Sequence, residues 1–172
     1  LSPTYMGIAQ AAYDFTVSYL RGEVPDMPPV KRRMYPTKQI AVAQMRVMLE
    51  QTRALFLATA REARIDPDRD ARMRLYASHY TIMENANAMC ALAVRTCGGQ
   101  SMLKSLPLER LYRDSRCGSR MLPWTAELCI DRLGRELASY KRVTAIELTD
   151  EPLPKTALRK VARGQLREAY DF

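Results

Sequence analysis

The stretch "RLYASHYTIMENANAMCALAVRTCGGQSMLKSLPLERLYRDSR", residues 74–116, decides the fold. Its first half carries Leu75, Tyr76, Tyr80, Met83, Ala86, Met89 and Leu92, apolar residues at the spacing of one helix face. The pattern stops at Gly98-Gly99. Such a pair ends helices, and it also lets a ligand approach the backbone closely. Both roles stay open at this point. Pro107 then suits the first turn of a shorter helix through "LERLYRDSR".

Outward from this stretch, "IDPDRD" breaks the chain, and Asp68 or Asp70 can cap the helix that follows. Before the break a helix runs from about Thr37 to Ala63, with Ile40, Met45, Met48, Leu49, Leu55 and Leu57 on a wide apolar face. An opening helix spans Pro3 to Arg21, striped by Met6, Ala9, Tyr13, Val17 and Leu20, with Gly22 at its end. Between these two lies "EVPDMPPVKRRMYP", residues 23–36, too rich in proline for regular helix and basic at its far end. A last helix spans Trp124 to Ala138, with Leu128, Ile130 and Leu133 facing inward. Each of the two longest helices measures ~40 Å at ~1.5 Å per residue. Long helices with short connections pack antiparallel, so residues 1–139 read as an all-α, antiparallel four-helix bundle.

The tail, 140–172, differs. "RVTAIEL" is rich in β-branched residues and reads as a short strand; "TDEPLPKT" reads as a loop and "RKVARGQLREAY" as a short helix. A segment this small buries no core of its own. Leu1 is not methionine, and we read the chain as a piece of a longer protein.

Composition narrows the function classes. No apolar run approaches the ~18 residues of a membrane span. The net charge of +8 comes from cations interleaved with carboxylates, a solvated basic surface without the aromatic–basic interleaving of a nucleic-acid binder. Cys90, Cys97, Cys117 and Cys129 form no C-x-x-C pair, and His79, the single histidine, has no ligand partner at metal spacing. Free thiols fit a reducing cytoplasm. Neither a nucleophile elbow nor a phosphate-binding glycine loop is present.

Residues 1–139 resemble the C-terminal domain of acyl-CoA dehydrogenases. "MGIAQAAYDFTVSYL" is similar to that domain's opening helix, and residues 74–99 to its third. Pro107, Glu109, Arg110, Leu111, Arg113, Asp114 and Arg116 match its Pro-x-Glu-Arg-Leu-x-Arg-Asp-x-Arg helix. The resemblance implies a bundle that pairs with itself or a related subunit and holds FAD between subunits. It puts Arg95, Thr96, Cys97, Gly98 and Gly99 against the adenosine-diphosphate half of the flavin, with Arg95 where the family usually has glutamine. It gives Arg32 or Arg33 of "KRRMYP" the part of the family's second phosphate contact. Thr125 and Glu127 match residues facing the flavin's other end. The implied substrate is an acyl-CoA or acyl-carrier thioester.

One departure bears on chemistry. Where the family reads Glu-Gly-Thr-Ser-Glu-Ile, this chain reads "MLPWTAEL". In the family the first glutamate removes the α-proton of the thioester, a task for a carboxylate whose pKa rises in a dry site. The corresponding residue here is Pro123 or Leu122, and neither accepts a proton. The base then lies upstream of Leu1, or this subunit pairs with an active one, or the flavin serves another reaction. A helical interaction module that has lost flavin is the rival reading.

The tail resembles the last segment of adenylate-forming acyl-CoA synthetases: Pro154, Thr156, Lys160, Val161 and Arg163 match its lysine motif, with Arg159 in place of a glycine. By that resemblance Lys160 is the adenylation lysine, which acts only with a ligase domain. The parent protein then activates an acid and oxidises its thioester.

Overall fold

The computed structural model describes residues 1–136. They form five α-helices: α1 (Ser2–Arg21), α2 (Pro36–Glu62), α3 (Arg69–Cys97), α4 (Pro107–Gly118) and α5 (Ala126–Arg135), with a 3₁₀ turn at Gly99–Met102. No strand occurs among the described residues. The strand–loop–helix reading of the tail, with Lys160, lies outside them.

The helix limits follow local chemistry. Proline occupies the first turn of α1, α2 and α4, where its missing N–H costs nothing. Asp68 caps α3 by accepting from the Ala71 N–H at 2.7 Å. Gly22 closes α1 at φ +73°, and a Cβ there would lie 2.9 Å from the Pro29 carbonyl carbon. The basic loop therefore folds back over the end of α1, and Arg32 donates its N–H to the Leu20 carbonyl at 2.8 Å.

Cross-helix hydrogen bonds fix the directions. Between α1 and α3, Ser2 meets His79 and Thr16 meets Cys97, so the two helices run parallel. Between α2 and α3, Thr59 meets Ser78, Asn85 meets Thr52 and Lys38 meets Thr96, so those two run antiparallel. Helix α3 is the spine: α1, α2, α4 and α5 all pack on it.

The core differs from the expected stripes. In α1 the expected Ala9 and Leu20 are buried together with Tyr5, Ala12, Thr16 and Tyr19, while Met6, Tyr13 and Val17 are half-buried. Small side chains let α1 approach α3, whose own Ala86 and Ala93 are fully buried. In α2 only Ala41, Met45, Leu49 and Thr52 are buried; Ile40, Leu55 and Leu57 are exposed, because α2 packs on one side only. Helix α5 begins at Ala126, not Trp124, because Thr125 caps it by accepting from the Leu128 N–H. Its buried residue is Cys129, and Ile130 is exposed. Among the described residues, no helix is long and apolar enough to cross a membrane.

Candidate functional site

The end of α3 carries most of the residues that the resemblance singles out. Gly98 stops the helix at φ +84°, a backbone conformation suited to glycine, and its N–H donates to the Val94 carbonyl. A Cβ at Gly98 or Gly99 would meet nothing within 4 Å among the described residues, so the turn borders open space there. Arg95 is exposed. The side chains of Thr96 and Cys97 are buried instead. Thr96 donates its hydroxyl back to the Leu92 carbonyl at 2.7 Å, and Cys97 lies against Thr16. Burial pushes the Cys97 thiol up to about 11, against the nearby Thr16 hydroxyl and the Lys38 and Arg32 cations.

Those two cations tie the basic loop to the glycine turn. Lys38, in the first turn of α2, donates its ammonium to the Thr96 carbonyl at 2.5 Å. Arg32 lies over the Tyr19 ring, 4.7 Å from its centroid, and the Tyr19 hydroxyl donates to Gln100 at 3.1 Å. The loop and the turn, more than sixty residues apart in the chain, thus share one surface. Arg33 is exposed and lines a groove of about 290 Å³ with Tyr13, Val17, Leu20, Arg21 and Val42. Sequence reasoning missed Lys38, Tyr19 and Gln100; a lysine in the first turn of one helix, opposite another helix's C-terminus, carries no local signature.

A second region forms where the chain passes from α4 to α5. Leu122 and Pro123 are both exposed. Trp124 turns inward against Tyr76 and His79, with ring centroids 5.6 and 5.7 Å away, and the Arg132 guanidinium stacks over it at 4.8 Å. Leu1, Leu75, His79, Pro123 and Trp124 line a cavity of about 330 Å³. Thr125 spends its hydroxyl oxygen as the cap of α5, and Glu127 is exposed on the first turn of that helix. Among the described residues, no carboxylate lines the cavity.

The family model of the acyl-CoA dehydrogenase C-terminal domain matches residues 1–120. The chain belongs to this family. Its acyl-CoA dehydrogenase relatives include the putative acyl-CoA dehydrogenase YdbM of Bacillus subtilis, 29% identical over 66% of this chain and 30% of that protein. The L-evernosamine nitrososynthase of a Micromonospora species is 27% identical over 80% of this chain and 34% of that protein. Among solved structures, the FAD complex of PigA superposes with a TM-score of 0.66 at 20% identity, over 79% of this chain and 34% of that one. The described helices thus have the fold of an acyl-CoA dehydrogenase C-terminal domain. The chain spans about a third of the length of these proteins.

Proposed function

We propose that this chain is the C-terminal helical domain of an FAD-dependent acyl-thioester dehydrogenase, and that it holds the flavin diphosphate with the glycine turn and basic loop. The observation that carries this reading is the link from Arg32 through Tyr19 to Gln100, together with Lys38 on the Thr96 carbonyl. Two cations, Arg32 and Lys38, then border a turn whose backbone faces open space. A diphosphate fits that donor set, since paired cations satisfy its oxygens. Arg95 and Arg33 supply further charge from the exposed surface. The family's FAD-bound structural relative supports flavin as the cofactor. When bound, flavin supplies the hydride acceptor.

We further propose that the bundle pairs with itself or a related subunit, a reading supported by the exposed Ile40, Val47 and Leu57 on the outer side of α2. The tail is proposed as the end of an acyl-adenylate-forming unit, with Lys160 as its lysine, on the strength of its sequence motif.

A second reading is favoured by the missing carboxylate at Leu122 and Pro123 and by the similarity to a nitrososynthase. Under it the flavin oxidises a substrate that needs no carboxylate at that position. FAD titration tests the shared element: both flavin readings expect saturable binding, and a chain that binds no FAD is a helical interaction module instead.

A further inference from the structure

Helix α4 has two unlike faces. Leu108, Ser115 and Gly118 are buried against the bundle, with Leu111 half-buried between them. Arg110, Arg113 and Arg116 are exposed and follow one another at three-residue steps, so they stand in one row. Arg120 extends the row through the turn after the helix, where its main-chain N–H donates to the Cys117 carbonyl at 3.1 Å. Lys104 extends it at the other end: Lys104, Arg110 and Arg113 border, with Glu109, an open hollow of about 420 Å³. Arg113 spends its guanidinium on Glu109 at 3.2 Å and on Asp114 at 3.4 Å. Arg116 donates to the neutral amide oxygen of Asn87 at 2.7 Å and keeps further N–H groups for a partner. Among the described residues, Lys104, Arg110 and Arg120 meet no carboxylate, whereas Arg46, Arg74 and Arg135 each hold one within 2.9 Å.

We propose that this row docks an acidic carrier protein, which brings the acyl group as a thioester and lays an acidic helix along α4. This rests on the thioester reading above and decides its carrier. Cations three and four residues apart lie ~5–6 Å from one another, the spacing at which a partner helix presents its own carboxylates. Guanidinium and carboxylate pair with good geometry, and a net charge of +8 steers an acidic protein towards this face. A second copy is disfavoured, because the row would meet like charge. A nucleic acid is disfavoured as well, because Glu109 and Asp114 stand within the row and would face its phosphates. The row also runs between the two regions described above. Lys104 follows the glycine turn, and Arg120 precedes the exposed Leu122 and Pro123, which stand in register with the family's catalytic glutamate.

The probe is a purified acidic acyl carrier protein in its butyryl form, dye-labelled and titrated with the full chain while its fluorescence anisotropy is read. Saturable binding is expected at low salt, weakening as salt is raised. Arg110→Glu combined with Arg120→Glu, two exposed positions, is expected to weaken it at least about tenfold. Lys104→Glu, in the turn before α4, supplies a second reading of the row should that pair fail to fold. Arg61→Glu combined with Arg64→Glu makes the same charge change at the connection between α2 and α3 and is expected to leave binding nearly unchanged. A carrier that does not bind, or that loses as much affinity to the Arg61 and Arg64 changes, would overturn the proposal. So would butyryl-CoA or a short DNA duplex whose binding falls with the row, since the row would then be a phosphate or nucleic-acid surface. FAD binding without carrier binding removes this inference and leaves the flavin reading intact; carrier binding without FAD binding does the reverse.

Discussion

Lys38 reaches from the first turn of α2 to the carbonyl of Thr96, placing an ammonium on the last turn of α3. The carbonyls of a helix C-terminus carry partial negative charge and lack intrahelical donors, so a cation there is stabilising. Lys38→Met keeps the apolar stem and removes the donor. Denaturant unfolding is expected to register a loss of about 1–2 kcal/mol. An unchanged midpoint and slope would mean that the Thr96 carbonyl finds another partner.

Gly118, at the end of α4, sits where no side chain fits. A Cβ would lie 2.5 Å from the Met83 sulfur and 2.6 Å from Tyr5 Cε1. Met83 and Tyr5 are themselves buried, so neither has free space to retreat into. Gly118→Ala is expected to destabilise the domain by about 1–3 kcal/mol, the usual cost of overpacking. A thermal melt of the variant checks this.

The four thiols divide sharply. Cys117 is exposed, while Cys90, Cys97 and Cys129 are buried. Burial pushes Cys90 and Cys97 each up to about 11, from 9.0. At mildly alkaline pH a disulfide reagent is expected to modify Cys117 rapidly and the other three only on unfolding. Between pH 9.0 and about 11 the folded state retains protons that the unfolded chain releases, so stability falls as pH rises through that window. The Cys97→Ser variant is expected to flatten that fall in a pH series of melts.

His79 acts at the opposite end of the scale. Burial lowers it from 6.5, so just below that pH the unfolded chain binds a proton that the folded state does not. Stability is then fully present above pH 6.5 and is lost as pH falls through the folded-state value. Trp124 emission is expected to quench over the same range as the ring beside it charges. His79→Gln is expected to remove both responses.

Much of this architecture was legible in the residues themselves. Proline at helix starts, Gly22 and Gly98 at helix ends and Asp68 as a cap are local signals, and they bound α1 to α4 closely. Facing was harder to read. Met6, Tyr13 and Val17 look like core positions in α1 beside Ala9 and Leu20, but close approach to α3 buries Ala12 and Thr16 in their place. Ile40 and Leu57 look inward in α2, but the helix has one packed side and not two. The resemblance pointed to the glycine turn and the basic loop separately. Their junction through Tyr19, Gln100 and Lys38, and the meeting of Ser2, His79 and Trp124, depend on pairs more than forty residues apart, which only the packed bundle brings together.

The most direct measurement is phosphorus NMR of FAD titrated with the protein and with its Arg32→Gln variant. Flavin held by the glycine turn and basic loop predicts that both diphosphate resonances shift and broaden saturably. Loss of one charge-assisted contact then weakens the apparent affinity about tenfold in the variant. Diphosphate resonances that ignore the folded protein, or that respond equally to the wild type and to Arg32→Gln, would contradict it.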